Sequence, residues 1–167
     1  GFRTNIINDR AALISYLNLG PQYGDLNILT VGGDFFGNTT LILPTPTGTL
    51  GSGPHNYVFF RSSNYSLLPA AGTRIHHGET IKGVVMANHA ANMPTMTIAN
   101  GGLGYFQPNN GVGYYIFQGL NIVSAGGSGA GAVLILATPL NTGVNNAHHI
   151  LVDRCWVHGD PVSGVGF

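Results

Sequence analysis

Charge is what this sequence has least of. Only 7% of its 167 residues are Asp, Glu, Lys or Arg, against roughly 25% in ordinary soluble domains, and six basic residues balance six acidic ones. Such a chain carries no electrostatic footprint for nucleic acid and no basic stripe for an anionic membrane, so neither is expected as a partner. Cysteine is nearly absent too. Cys155 is the only one, which excludes an intrachain disulfide and a cysteine-based metal knuckle, and its apolar surroundings read as inert packing. Long apolar runs are also missing. The longest, Ala132 to Ala137, is far below the ~20 residues that span a bilayer, and no basic region followed by an apolar stretch opens the chain. Membrane insertion is therefore not expected, and if the protein is exported, this sequence reads as its mature form without a signal peptide.

What is abundant is glycine, with 26 residues, together with Asn and Thr. Solubility must come from neutral polar groups. The length suits a single domain over residues 1–167, long enough to bury very roughly 70% of the surface its unfolded form would expose. Asn38-Thr39-Thr40 and Asn64-Tyr65-Ser66 fit the glycosylation tripeptide, which matters only in a eukaryotic secretory route.

The most informative pattern is a repeat. Setting Phe117 against Val152 aligns Tyr115 with Ile150, Leu120 with Cys155, Ile122 with Val157, and polar Gln118 with Asp153. A third copy places Val58 and Phe60 in the apolar columns and Arg61 in the polar one. Each copy alternates apolar and other residues for one short strand and then bends, and the later copies alternate again, as a coil of a β-solenoid does. The expectation is that the apolar columns point inward, while Arg61, Gln118 and Asp153 form a more exposed column.

Around this repeat, Asp9 precedes a short helix with Leu13, Ile14 and Leu17 on one face, ended by Gly20-Pro21. Strands are expected at Leu26 to Val31, Thr39 to Leu43, Tyr57 to Arg61, Met93 to Ala99, Tyr115 to Val123, Ala132 to Thr138 and Ile150 to Val157. Residues Ser62 to Asn92 form a long excursion with weak strand signals, and Asn100 to Gly113 a loop. The predicted fold is all-β, a right-handed parallel β-helix with an amino-terminal cap region at 1–20 and coils over 21–167.

The motifs Gly24-Asp25, Phe36-Gly37-Asn38, Phe60-Arg61-Ser62-Ser63, Leu68-Pro69, Ala71-Gly72-Thr73-Arg74, Met93-Pro94, Asp153-Arg154-Cys155 and His158-Gly159-Asp160-Pro161 occur in an order that resembles the amino-terminal part of bacterial pectate-lyase-like, right-handed parallel β-helix proteins. The similarity runs from about Arg10 to Pro161. It implies a protein that is often extracellular or periplasmic and often acts on polysaccharides. In lyases of that kind, the resemblance implies calcium held by clustered acids and an Arg or Lys as base. No such calcium ligands map onto Asp9, Asp25, Asp34, Glu79, Asp153 or Asp160, which are scattered, so no cofactor is expected unless acidic ligands come from outside this chain.

Glycoside hydrolysis needs two carboxylates roughly 5–9.5 Å apart. Asp153 and Asp160 are the nearest pair in sequence, yet Asp153 pairing with Arg154 or Arg61, and Asp160-Pro161 starting a turn, is the simpler reading. His76-His77, His89, His148-His149 and His158 raise the question of a metal. Neighbours on a strand point to opposite faces, so each doublet is expected to deliver one ligand per side, and no metal site is expected. For a glycan, Trp156 on the outward register is the candidate platform, with Asp153, Arg154, His158 and Asn121 around it. The alternative for Trp156 is packing beneath a loop such as Asn100 to Gly113, or contact with another subunit.

Two functions of different class follow: a secreted carbohydrate-binding or polysaccharide-processing protein, or a structural protein whose subunits stack into a fibre or sheath. The chain stops soon after a strand. The open end suggests that further coils follow, or that a second copy covers it end to end as a homo-oligomer or filament.

Overall fold

A strand that the sequence reading did not anticipate, β1 (Arg3–Asp9), opens the chain and runs directly into helix α1 (Arg10–Leu19). The computed structural model describes residues 2–50, 53–99, 105–109, 112–125 and 147–159. The expected strand at 132–138 and the Asp160-Pro161 turn lie outside them. After α1 come β2 (Asp25–Asp34), β3 (Leu41–Leu43), β4 (Val58–Ser62), the short pair β5 (Thr80–Ile81) and β6 (Val84–Val85), then β7 (Thr95–Ile98) and β8 (Phe106–Pro108). The last described strands are β9 (Gly113–Gln118), β10 (Asn121–Ser124), β11 (His148–Asp153) and β12 (Trp156–His158).

Helix α1 forms where the sequence placed it. Asp9 is extended and its carboxylate accepts the Ala12 amide at 2.8 Å, while Leu13 and Leu17 turn inward and Gly20 closes the helix at φ 88°. Fully buried Asp25 ties helix, turn and sheet together. It accepts from Arg3 Nε and Nη2 at 2.6 and 2.7 Å, from the Tyr16 hydroxyl at 2.7 Å and from the Gln22 amide at 2.9 Å. Burial pushes the Tyr16 hydroxyl far above its ordinary pKa, so it stays a donor.

The strands pair in parallel with the registers the repeat implied. Tyr115 lies opposite Ile150, Phe117 opposite Val152, Gln118 opposite Asp153, Phe60 opposite Phe117, and Ile122 opposite Val157. The larger inference does not follow from this. In place of a right-handed parallel β-helix, the described residues form separate small sheets: β1-β2-β4-β9-β11, β12-β10-β7, β3-β8, and the antiparallel β5-β6 hairpin. Stacked uniform coils require every winding to supply a strand to every sheet, whereas the described residues give sheets of five, three, two and two strands. An alternating apolar rhythm reports which strands are neighbours. It carries no information about how many sheets each winding joins.

Val58, Phe60, Tyr115, Phe117, Leu120 and Ile122 are fully buried, and Phe60 packs face to face on Phe106, Tyr115 and Phe117 at 5.7, 6.0 and 5.7 Å. Ile150, Cys155 and Val157 pack partly against this core, but Val152 remains exposed. The polar column is also corrected. Gln118 is only 8% exposed, because Arg61, Tyr65 and Asp153 close over it. Part of the stretch read as a loop at 100–113 is strand, since β8 pairs with β3 and Tyr105 anchors it by donating its hydroxyl to the Phe35 carbonyl at 2.7 Å.

Candidate binding cleft

The bend between β11 and β12 falls at Arg154, at φ 50°, where the equivalent bend between β9 and β10 uses Gly119 at φ 67°. Glycine fits there because a Cβ would run into Leu68. The arginine in the same conformation turns its guanidinium back along the strand. It donates to Asp153 Oδ1 and Oδ2 at 3.1 and 3.0 Å and to the Pro69 carbonyl at 3.3 Å.

These contacts bring the start of the 62–92 excursion against the strand ends. Tyr65 is held between two guanidinium groups, with Arg154 4.1 Å and Arg61 4.6 Å from its ring centre, and its hydroxyl donates to Asp153 Oδ2 at 2.9 Å. Gln118 donates to the same oxygen at 3.0 Å and accepts from Arg61 Nε at 2.7 Å. Asp153 thus pairs with Arg154, while Arg61 reaches Gln118 instead. Burial lowers the Arg61 pKa, with the Arg154 charge acting in the same direction and Asp153 opposing both.

Between residues 71–75 and 151–156 lies an open cleft of about 630 Å³. Three of the residues expected at a glycan site, Asp153, Arg154 and Trp156, line it. The other two do not. Asn121 is buried, donating to Thr95 Oγ1 at 3.0 Å and facing His158 Nε2 with its carbonyl at 3.0 Å, while His158 Nδ1 lies 2.7 Å from the Gly159 carbonyl.

Trp156 is more enclosed than an open platform. The His77 ring lies 4.5 Å from it at 5° and the His158 ring 3.9 Å from it at 24°. Two imidazoles that close and that nearly parallel cannot share one face, so they cover opposite faces. Among the described residues, the cover that comes from another part of the chain is His77, in the 62–92 excursion. His77 is the looser cover, with its side chain 48% exposed and 3.7 Å from Glu79.

Residues that the sequence reading left without a role complete the cleft. Thr73 and Arg74 line it, and Arg74 makes no hydrogen bond or ion pair among the described residues. Arg74 belongs to a motif quoted for the resemblance, but its excursion showed no periodicity from which to place it.

The described carboxylates are all engaged. Asp9 caps α1, Asp25 holds Arg3, Asp34 accepts the Phe36 amide, Glu79 binds His76 and the His77 amide, and Asp153 carries three donors. Among the described residues no three His, Cys, Asp or Glu side chains converge as a metal site. No described helix is long and apolar enough to cross a membrane. Comparison with protein-family models, curated proteins and solved structures finds no match to this chain.

Proposed function

We propose that this protein binds polysaccharide outside the cytoplasm, through the cleft between residues 71–75 and 151–156. The observation that carries the reading is that one cleft is lined both by Arg74, a guanidinium without a partner among the described residues, and by the Trp156 indole. Sugars present hydroxyls to donors and CH faces to rings. Half-exposed His77 already occupies one indole face as a ring of similar size, and a sugar ring taking its place would gain that face. Binding fits better than cleavage, because Asp153, the acid in the cleft, is held by Tyr65, Gln118 and Arg154 and has no free proton-transfer role. The extracellular setting rests on the resemblance to pectate-lyase-like proteins.

Titration with neutral and uronate-bearing polysaccharides tests this. Binding is expected, with Arg74→Ala weakening it by about 1.5–3 kcal/mol and leaving the melting curve unchanged, since Arg74 is exposed. Absence of binding to every glycan class, or an Arg74→Ala variant that binds as tightly as the parent, would overturn the proposal.

A second reading, self-association, has its own observation. Strand β11 is an outermost strand of the five-stranded sheet among the described residues, and its Leu151 is 51% exposed and its Val152 36%. Light scattering over a concentration series tests it: growth in mass that Leu151→Lys abolishes supports a structural role, and a constant monomer mass rejects one.

A further inference from the structure

The His148-His149 doublet does not obey the alternation of a strand. His149 adopts φ 51° and, on the neighbouring strand, Tyr114 adopts φ 68°, both in the left-handed region that bulky residues rarely enter. Consecutive side chains that would point to opposite faces are thereby turned to the same side. The His148 and His149 Nδ1 atoms lie 2.8 Å apart, with the two rings crossed at 89°. Backbone strain of this kind persists only where surrounding structure enforces it. Here Tyr114 supplies the enforcement, stacking flat on His149 at 4.7 Å and 6° and meeting His148 edge-on at 5.3 Å. Gly113 supplies the room, because a Cβ on it would collide with the carbonyl oxygen and the Nδ1 of His148.

We propose that His148 and His149 form a two-imidazole site for a divalent transition-metal ion of tetragonal preference, copper(II) above all. The spacing makes the selection. Two nitrogens about 2.0–2.1 Å from one ion stand about 2.9 Å apart when they meet it at a right angle, and about 3.4 Å apart at the tetrahedral angle. The two Nδ1 atoms, which share a hydrogen bond at 2.8 Å, already stand close to the right-angled spacing that suits copper(II) or nickel(II), and an ion would replace the proton between them. Moving the Nδ1 proton of the donor ring to its Nε2, with small rotations of the two exposed rings, frees both Nδ1 lone pairs for a shared ion, and water completes the coordination. The site lies on the opposite ends of β9 and β11 from the Gln118–Asp153 pair, so it is independent of the cleft.

Titration of metal-free protein with copper(II), nickel(II) and zinc(II), followed by calorimetry and by electron paramagnetic resonance of the copper form, tests the proposal. The expected result is one copper(II) with a tetragonal spectrum split by two nitrogens, and binding tighter than that of zinc. His148→Ala and His149→Asn, the latter keeping a residue that tolerates the left-handed conformation, should each weaken copper binding by at least about tenfold. Gly113→Ala should weaken it while keeping both imidazoles. Copper binding of parental strength in the doubly substituted protein, or a zinc affinity equal to that for copper, would overturn the assignment. Both histidines are exposed, so circular dichroism of the variants is expected to match the parent and separates loss of ligands from loss of fold.

Discussion

Gln118 donates its side-chain amide to Asp153 Oδ2 at 3.0 Å, across two neighbouring parallel strands, from a position that is 8% exposed. The same amide group reaches the Tyr65 hydroxyl at 3.0 Å, and its carbonyl accepts from Arg61. Removing it leaves a half-buried guanidinium and a carboxylate each short of a partner. Gln118→Ala is therefore expected to destabilise the fold by about 1–3 kcal/mol, whereas exposed Asn18→Ala should stay within about 0.5 kcal/mol. Urea melts of the two variants check this, and equal midpoints would mean that water replaces the lost amide.

Phe117 sits at the centre of the apolar column, fully buried and packed on Phe60 at 5.7 Å and Phe106 at 5.0 Å. Phe117→Ala should cost about 3–5 kcal/mol, a large part of the roughly 5–15 kcal/mol that holds a domain of this kind together. Val152→Ala, at the paired but exposed position, should cost much less. Similar losses at both sites in denaturant melts would show that β11 is covered in solution, by this chain or by another copy.

The pairing of Phe117 with Val152 was legible because parallel neighbours repeat the same period-two rhythm, and the α1 boundaries were legible because Asp9 and Gly20 are chemically explicit caps. Strand β1 was not, since only Ile7 of its seven residues is buried, and the one other apolar residue, Ile6, points out to solvent among polar neighbours. The excursion at 62–92 hid Tyr65, Arg74 and His77 for a related reason: its turns and its hairpin, with Val84 and Val85 exposed, follow no burial period. The histidine doublet misled in the opposite direction. Alternation is a sound rule for a strand, but His149 leaves strand geometry without a glycine or asparagine to announce it.

Glu79 gives the excursion a pH dependence. Its hydrogen bond to His76 at 2.6 Å, helped by the His77 amide at 2.8 Å, holds the carboxyl at about 2, below its ordinary 4.5. The folded chain therefore binds fewer protons than the unfolded one between those values, so this stabilisation is present above about pH 4.5 and lost as pH falls toward 2. Amide exchange in the 76–89 segment should quicken over that range, and Glu79→Gln should remove the dependence. An exchange rate in the parent protein that follows only the intrinsic pH trend would refute the assignment.

Cys155 faces the opposite shift. Burial, reinforced by the Asp153 charge, raises its thiol from 9.0 to about 11, against the lowering effect of backbone contacts such as the Leu120 amide at 3.4 Å. The thiolate is the reactive species, so alkylation at pH 8 should run about a hundredfold slower in the folded protein than in urea. The sign for stability follows from the same shift. Above about pH 9 the unfolded thiol loses its proton while the folded one keeps it until about 11, so the folded state binds more protons and stability falls as pH rises through that window. Cys155→Ser should flatten the alkaline limb of a pH-stability curve. Rapid alkylation of the native protein, at the rate measured in urea, would instead mean that the β11–β12 bend opens readily enough to expose the sulfur.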